Sequence, residues 1–155
     1  MFGSSVSAAY STRALVCLAR HEDWVRGSKV IASCSGAPRP YLVKVLHCLA
    51  HEGLVETRRG NHGGYRLARS PETITLFDIL STVDGPDVFE RCFLGFGKCT
   101  AKRGCPLHAI GSKQRACLKK RYRELTLREL ASFDRLDFQR NYHFGRHGRK
   151  TQGGT

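Results

Sequence analysis

The chain has 155 residues, with 26 Lys and Arg against 13 Asp and Glu and a net charge of +13. That length gives one ordinary domain with a real core, and that charge calls for a polyanionic partner. No run approaches the roughly 18 apolar residues of a membrane helix, and the opening stretch is interrupted by Ser11, Thr12 and Arg13, so neither a transmembrane span nor a signal peptide is expected. The expected location is the cytoplasm, where thiols stay reduced. There, seven cysteines, an odd number, point to metal or redox chemistry rather than to a pure disulfide framework.

Residues 5–21 read as a first helix with a small, apolar face that includes Ala8, Ala9, Leu15, Val16, Leu18 and Ala19. A short second helix is expected over 28–35, with Ser28 as its cap. The turn Ser35-Gly36-Ala37 leads to Pro38 and Pro40, which suit a helix start. A third helix, about 39–52, repeats Tyr41, Leu42, Val45, Leu46, Leu49 and Ala50 on one buried face and stops at Gly53. Helix, turn, helix is the arrangement of a DNA reader. Two strands, 54–59 and 65–68, flank the Gly-rich turn 60–64 and predict a hairpin, or wing. Its tip and arms hold Arg58, Arg59, His62, Arg66 and Arg69. Thr75 with Asp78 predicts a capped helix over 75–83, ended by Asp84-Gly85-Pro86. A Gly-rich loop runs over 85–104, a helix opens at Pro106 and reaches about 123, and Thr126 with Glu129 caps a short helix over about 126–133.

The exposed face of the third helix offers Arg39, Lys44, His47 and His51, and the wing adds its arginines. Arginine grips phosphate or bridges two acceptors on guanine, so duplex DNA is the expected partner. The plainer alternative is a set of solvated basic faces. A membrane surface is disfavoured because the charges do not alternate with exposed Leu or Trp on an amphipathic helix.

Cys92, Cys99, Cys105 and His108 are separated by six, five and two residues. Thiolate and imidazole ligate zinc or an iron–sulfur cluster. Structural zinc favours cysteine pairs two to four residues apart, so the wider gaps tilt toward a cluster. A set of redox-active thiols without metal is the alternative. Cys105, directly before Pro106, falls where an N-cap would sit and where a thiolate is favoured. Cys17, Cys34 and Cys48 are expected as packed core residues, and Cys117 could face an interface. No nucleophile–base or carboxylate pair calls for an enzyme.

With these features the chain resembles the Rrf2 family of winged-helix transcription regulators, which includes IscR- and NsrR-like members. The resemblance covers roughly residues 5–133. It rests on the first helix, Tyr41-Leu42-Val43-Lys44-Val45-Leu46, Gly53-Leu54-Val55, Arg59-Gly60 with Gly63-Gly64-Tyr65, Ile79 to Asp84, the three loop cysteines and Thr126-Leu127-Arg128-Glu129-Leu130. It implies a mainly α fold with a small β wing, in which a winged helix-turn-helix domain is joined to a long dimerisation helix. The layout would be a DNA-binding domain over 1–84, a cluster-binding loop over 85–105, a dimerisation helix and short C-terminal helix over 106–137, and a basic, disordered tail over 138–155. It implies an iron–sulfur cluster on Cys92, Cys99 and Cys105. The fourth ligand in such proteins is either a histidine three residues on, matched by His108, or an acidic residue of the partner's first helix. The matching stretch here, Ala8-Ala9-Tyr10, carries no carboxylate, which favours His108 and [2Fe–2S] over [4Fe–4S]. The DNA-contact set is Ser28, Arg39, Pro40, Tyr41, Lys44, Arg58, Arg59, Gly60, His62 and Gly63. The expected function is that of a homodimeric repressor on a pseudo-palindromic operator, sensing cluster state, redox or nitric oxide. A cluster-free thiol-redox regulator of the same fold is the alternative.

Overall fold

A computed structural model describes residues 5–22, 24–60, 63–92 and 94–133. The first helix, α1 (Val6–Ala19), is capped by the Ser5 hydroxyl, which accepts from the Ala8 amide at 3.0 Å. It is buried along most of its length, and two of its hydroxyl residues bond within the helix. Ser11 and Thr12 each donate to the carbonyl four residues back, at 2.8 Å. That local bonding lets hydroxyls enter the core without an orphaned donor. Leu15 and Leu18 of α1 meet Ile31 of α2 (Ser28–Ser35) and Leu42, Leu46 and Leu49 of α3 (Arg39–His51) in one cluster, which Leu54, Ile74, Ile79 and Leu127 complete.

The end of α3 is fixed by Gly53 at φ 69°. The Gly53 amide donates to the Ala50 carbonyl at 3.1 Å and the Leu54 amide to the Leu49 carbonyl at 2.9 Å, a left-handed stop that glycine adopts without steric cost. The chain then enters β1 (Val55–Arg58), which pairs antiparallel with β2 (Gly64–Leu67) in the register Val55 to Leu67 and Arg58 to Gly64. Arg26 adds a one-residue bridge on the free edge of β2, exchanging both backbone hydrogen bonds with Tyr65 at 2.9 Å. The wing is thus anchored to the α1–α2 connection.

Both expected capping boxes are present. Thr75 with Asp78 starts α4 (Leu76–Asp84), and Thr126 with Glu129 starts α6 (Leu127–Ser132). The two capping threonines are also backbone bridge partners. The Leu76 amide donates to the Leu125 carbonyl at 2.9 Å and the Leu127 amide to the Ile74 carbonyl at 2.7 Å. Between them lie the Gly/Cys loop, a 3-10 turn at Ala101–Arg103, and α5 (His108–Glu124). None of the residues of α5 is buried. The helix is held on α4 by aromatic packing: Phe77 stacks on Phe89 at 5.5 Å, Tyr122 meets Phe89 edge-on at 5.7 Å, and Arg123 lies over Phe77 at 4.6 Å.

Four expectations are corrected. Cys17 and Cys34 do not sit in the core as separate residues; they form a disulfide joining α1 to α2. Cys48 is exposed, because the buried face of α3 runs through Leu42, Val45, Leu46 and Leu49 and leaves residue 48 outside it. Ser28 is the first residue of α2 rather than its cap; Gly27 occupies the cap position without a side-chain bond. Cys105 is not an N-cap either. Pro106 and Leu107 form a turn, and α5 starts at His108. The expected tail at 138–155 lies outside the described residues.

Candidate nucleic-acid interface and metal centre

The openings of α2 and α3 meet on one side of the molecule. Arg39 donates from Nε to the Ser28 hydroxyl at 3.2 Å, so the first residue of each helix contacts the other. Arg39, Pro40 and Lys44 are exposed on α3, as are His47 and Cys48. Tyr41 is half-buried and faces α1: its hydroxyl meets the Ser7 hydroxyl, and its ring lies edge-on to Tyr10 at 5.6 Å. On the wing, Arg58, Arg59 and Gly60 are exposed, and Gly63 is half-buried. His62 lies outside the described residues. The basic side chains divide into two kinds. Arg66 is paired across the hairpin with Glu56 at 2.6 Å, whereas Lys44, Arg58 and Arg59 form no ion pair with any of the described residues. Unpaired guanidinium and ammonium groups on a helix face and an adjacent hairpin are what a phosphate backbone takes up.

The wing needs its glycines. A Cβ on Gly64 would lie 2.4 Å from the Arg26 carbonyl oxygen, and one on Gly63 would lie 2.4 Å from that of Arg58. Both contacts are with backbone, which cannot swing aside.

The cysteine loop is a second, smaller hairpin. Arg91 and Lys98 form its bridge, the Cys92 amide donates to the Gly97 carbonyl at 2.6 Å, and the Cys99 amide donates to that of Glu90 at 2.8 Å. Cys92 and Cys99 are thereby brought to the same end of the hairpin. The turn at Gly104 returns the chain to Cys105, whose carbonyl accepts from the His108 amide at 3.0 Å. The His108 ring then reaches Cys99, with Nδ1 to Sγ at 3.3 Å. All four expected donors line one half-open cavity of about 140 Å³, with Leu94, Leu107, Ile110, Gly111 and Arg115 among its other walls. The Cys92 thiol is held below its ordinary range. Its sulfur accepts from the amides of Leu94 and Phe96, and the Arg103 charge and a contact with Cys99 add to this against partial burial. Among the described residues no three of these donors converge on a single point as one tetrahedral ion requires. They surround a cavity instead. Three thiols and one imidazole are donor types shared by zinc sites, iron–sulfur clusters and thiol redox sites.

Residues to which sequence reasoning gave no part in either site make a run of contacts from the loop to α3. Arg91, beside Cys92, pairs with Asp87 at 2.8 Å and donates to the Asp84 carbonyl. The Asp84 carboxylate in turn accepts from the Ser5 amide at 3.0 Å and from its hydroxyl. Two residues on, Ser7 contacts Tyr41 of α3. Asp84 and Ser5 are 79 positions apart, so no local pattern could have paired them.

A helix-turn-helix with an unpaired basic face, a buttressed wing and a separate thiol-rich loop defines a winged-helix, DNA-binding transcription regulator. Similarity to known proteins places it more narrowly: the chain belongs to the Rrf2 family, whose model, described as "Iron-dependent Transcriptional regulator", matches residues 4–132. An HTH-type transcriptional regulator of Aquifex aeolicus is 30% identical over 132 residues, spanning 84% of this chain and 92% of that protein. The regulator NsrR of Bacillus licheniformis is 33% identical over 87 residues, 56% of this chain and 61% of NsrR. Among solved structures, CymR, the global cysteine regulator of B. subtilis, superposes with TM-score 0.71 at 28% identity, covering 86% of this chain and 98% of that one. T. potens IscR superposes with TM-score 0.64 at 25% identity, covering 82% and 84%. These relatives are named as regulators, not enzymes. No helix among the described residues is long and apolar enough to cross a membrane.

Proposed function

We propose that the protein is a homodimeric repressor that binds a pseudo-palindromic DNA site and whose affinity follows an iron–sulfur cluster, [2Fe–2S], carried on the loop. The observation that carries this reading is the shared cavity of Cys92, Cys99, Cys105 and His108. The family description as iron-dependent supports it. Three thiolates and the His108 imidazole hold the cluster, which when bound supplies a junction sensitive to redox state and nitric oxide between the loop and the head of α5.

The protein's own residues do the rest. Ser28, Arg39, Pro40 and Lys44 present the openings of α2 and α3 to the major groove, with Tyr41 setting the seat of α3 on α1. Arg58, Arg59, Gly60, His62 and Gly63 bring the wing to phosphate. Leu107 and Ile110 stand exposed on and beside α5, at 46% and 62%, and in the dimer the partner's α5 covers them. Residues 1–84 thus form the reader, 85–105 the sensor loop, 106–137 the dimer element, and 138–155 a basic tail. Asp84 transmits the loop's state. Ordered through Arg91, it holds Ser5 and thereby the α1 register against Tyr41.

A second reading, a cluster-free thiol regulator, is favoured by the direct contact of Cys99 with His108, which needs no metal between them. Anaerobic purification followed by visible absorption and iron and sulfide analysis separates the two. Coloured protein with iron and sulfide, lost in Cys92→Ala, Cys99→Ala and Cys105→Ala, supports the cluster. In His108→Ala, a changed spectrum or reduction potential supports the fourth-ligand assignment. Colourless protein whose loop thiols titrate with peroxide supports the second reading.

A further inference from the structure

We propose that Cys17 and Cys34 form a reversible dithiol–disulfide site that clamps α2 onto α1, separate from the loop cysteines and acting directly on the DNA reader. The two residues are 17 apart in sequence, with Cα atoms 6.2 Å apart and the sulfurs bonded. A regulator of transcription works where DNA is, in a compartment whose thiols are kept reduced. Disulfides there are transient and serve catalysis or sensing rather than structure.

The clamp matters because α2 is short and uncapped, so that its order comes from packing on α1 and α3. It has 8 residues, a Gly27 cap without a side-chain bond, and only Ile31 and Ser35 buried. Helices this short do not persist on their own and depend on packing. Yet α2 carries Ser28, whose hydroxyl positions Arg39 at the start of α3. A covalent tie from the last turn of α2 to the core of α1 thus orders the element that sets the recognition face. Access is uneven. Cys17 is 4% exposed, whereas Cys34 is half-buried and open to attack.

The oxidant class is a low-molecular-weight disulfide. The Cys34 thiolate attacks one of its sulfurs and releases one thiolate. The Cys17 thiolate then attacks the Cys34 sulfur of the mixed disulfide and releases the second. The protein loses two protons and two electrons, and the small disulfide becomes two thiols.

The test equilibrates full-length wild-type protein with oxidised or reduced glutathione. It maps disulfides by peptide mass, follows amide exchange in α2, and measures DNA affinity. The expected result is a Cys17–Cys34 peptide only in the oxidised sample, α2 amides exchanging at least ten-fold slower there, and DNA bound at least five-fold tighter. Cys34→Ser should lock the protein in the weak, fast-exchanging state under both conditions. The proposal is overturned if no such peptide forms, if glutathione stays attached at Cys34, if the bond forms without changing α2 exchange or affinity, or if the redox response of affinity persists in Cys34→Ser, which would assign it to the loop. Should Cys34→Ser fail to fold, the wild-type peptide map and α2 exchange decide alone.

Discussion

Replacing Gly64 by Ala tests whether the wing depends on its seat against the α1–α2 connection. The added Cβ would lie 2.4 Å from the Arg26 carbonyl oxygen and 2.7 Å from its carbonyl carbon, well inside contact distance. Neither group can rotate away, so β2 must withdraw from Arg26. Withdrawal breaks the two 2.9 Å backbone hydrogen bonds between Arg26 and Tyr65. At roughly 1 kcal/mol net for each, the loss is about 2 kcal/mol, a melting point lower by about 4–8 °C for a chain of this size. The core does not involve Gly64, so the protein should still fold. The wing, released at its base, should hold Arg58 and Arg59 less well, and DNA affinity should fall about ten-fold, the equivalent of about 1.4 kcal/mol. Differential scanning calorimetry and fluorescence anisotropy with a labelled operator duplex give the two numbers, and amide exchange at Tyr65 gives the local one. A variant that melts with wild type and binds as tightly would refute the idea that the bridge buttresses the wing.

Arg59→Ala should weaken DNA binding across sequences and reduce the slope of log affinity against log salt by about 0.9 for each phosphate no longer neutralised, measured over a salt series. Gly111→Ala should stabilise α5 by about 0.5–1 kcal/mol, since glycine is a poor helix former and the nearest group to the new Cβ is the movable Arg115 guanidinium, at 3.0 Å. Because Gly111 lines the cysteine cavity, the same variant should load less iron, read by iron analysis of anaerobically prepared protein. The Ser70 hydroxyl and the Arg128 guanidinium hold the Glu72 carboxyl at about 2, against its usual 4.5. Its folded value is depressed, so its stabilising contribution is complete above about pH 4.5 and is lost as pH falls toward 2. A carbon-detected NMR titration should show Glu72 ionised at about pH 3, and a midpoint near 4.5 would remove Arg128 as its partner.

What could be read from the chain in advance was local. Thr75 with Asp78, Thr126 with Glu129, and Gly53 at the end of α3 each act within four residues, so their spacing predicted the caps and the stop that the structure contains. The paired strands were legible for the same reason, since a Gly-rich turn separates two runs of strand formers. The cysteines illustrate the limit. Cys17 is buried, as expected of a core cysteine, but its type and position could not name Cys34 as its partner, because they predict burial and not a contact. Cys48 was misplaced by grouping it with its apolar neighbours instead of following the helical step from Leu42 to Leu49. Cys105 was displaced from its expected cap by a turn at Pro106-Leu107 that the proline alone does not announce. The four donors of the loop were identifiable as residue types. Their convergence on one cavity depends on the Arg91–Lys98 bridge and the return at Gly104, neither of which a spacing rule contains.

The pairing of Thr75 with Thr126 gives α5 the mechanics of a lever. Its C-terminal end is pinned by the Leu76–Leu125 and Leu127–Ile74 hydrogen bonds, while its other end, at His108, carries the cysteine loop. At about 1.5 Å per residue, the 17-residue arm is ~25 Å long, so a displacement of ~4 Å at its tip corresponds to a turn of only ~10° at the root. A displacement of the cysteines would therefore be geared down, reaching the root of the arm as a small rotation. The Phe77, Phe89 and Tyr122 rings grip the same C-terminal half of the arm, so its root is a broad seat and its free part is the half that bears the loop. Such gearing lets the length of the arm, one helical turn at a time, set how much loop movement is needed for a given rotation at the root.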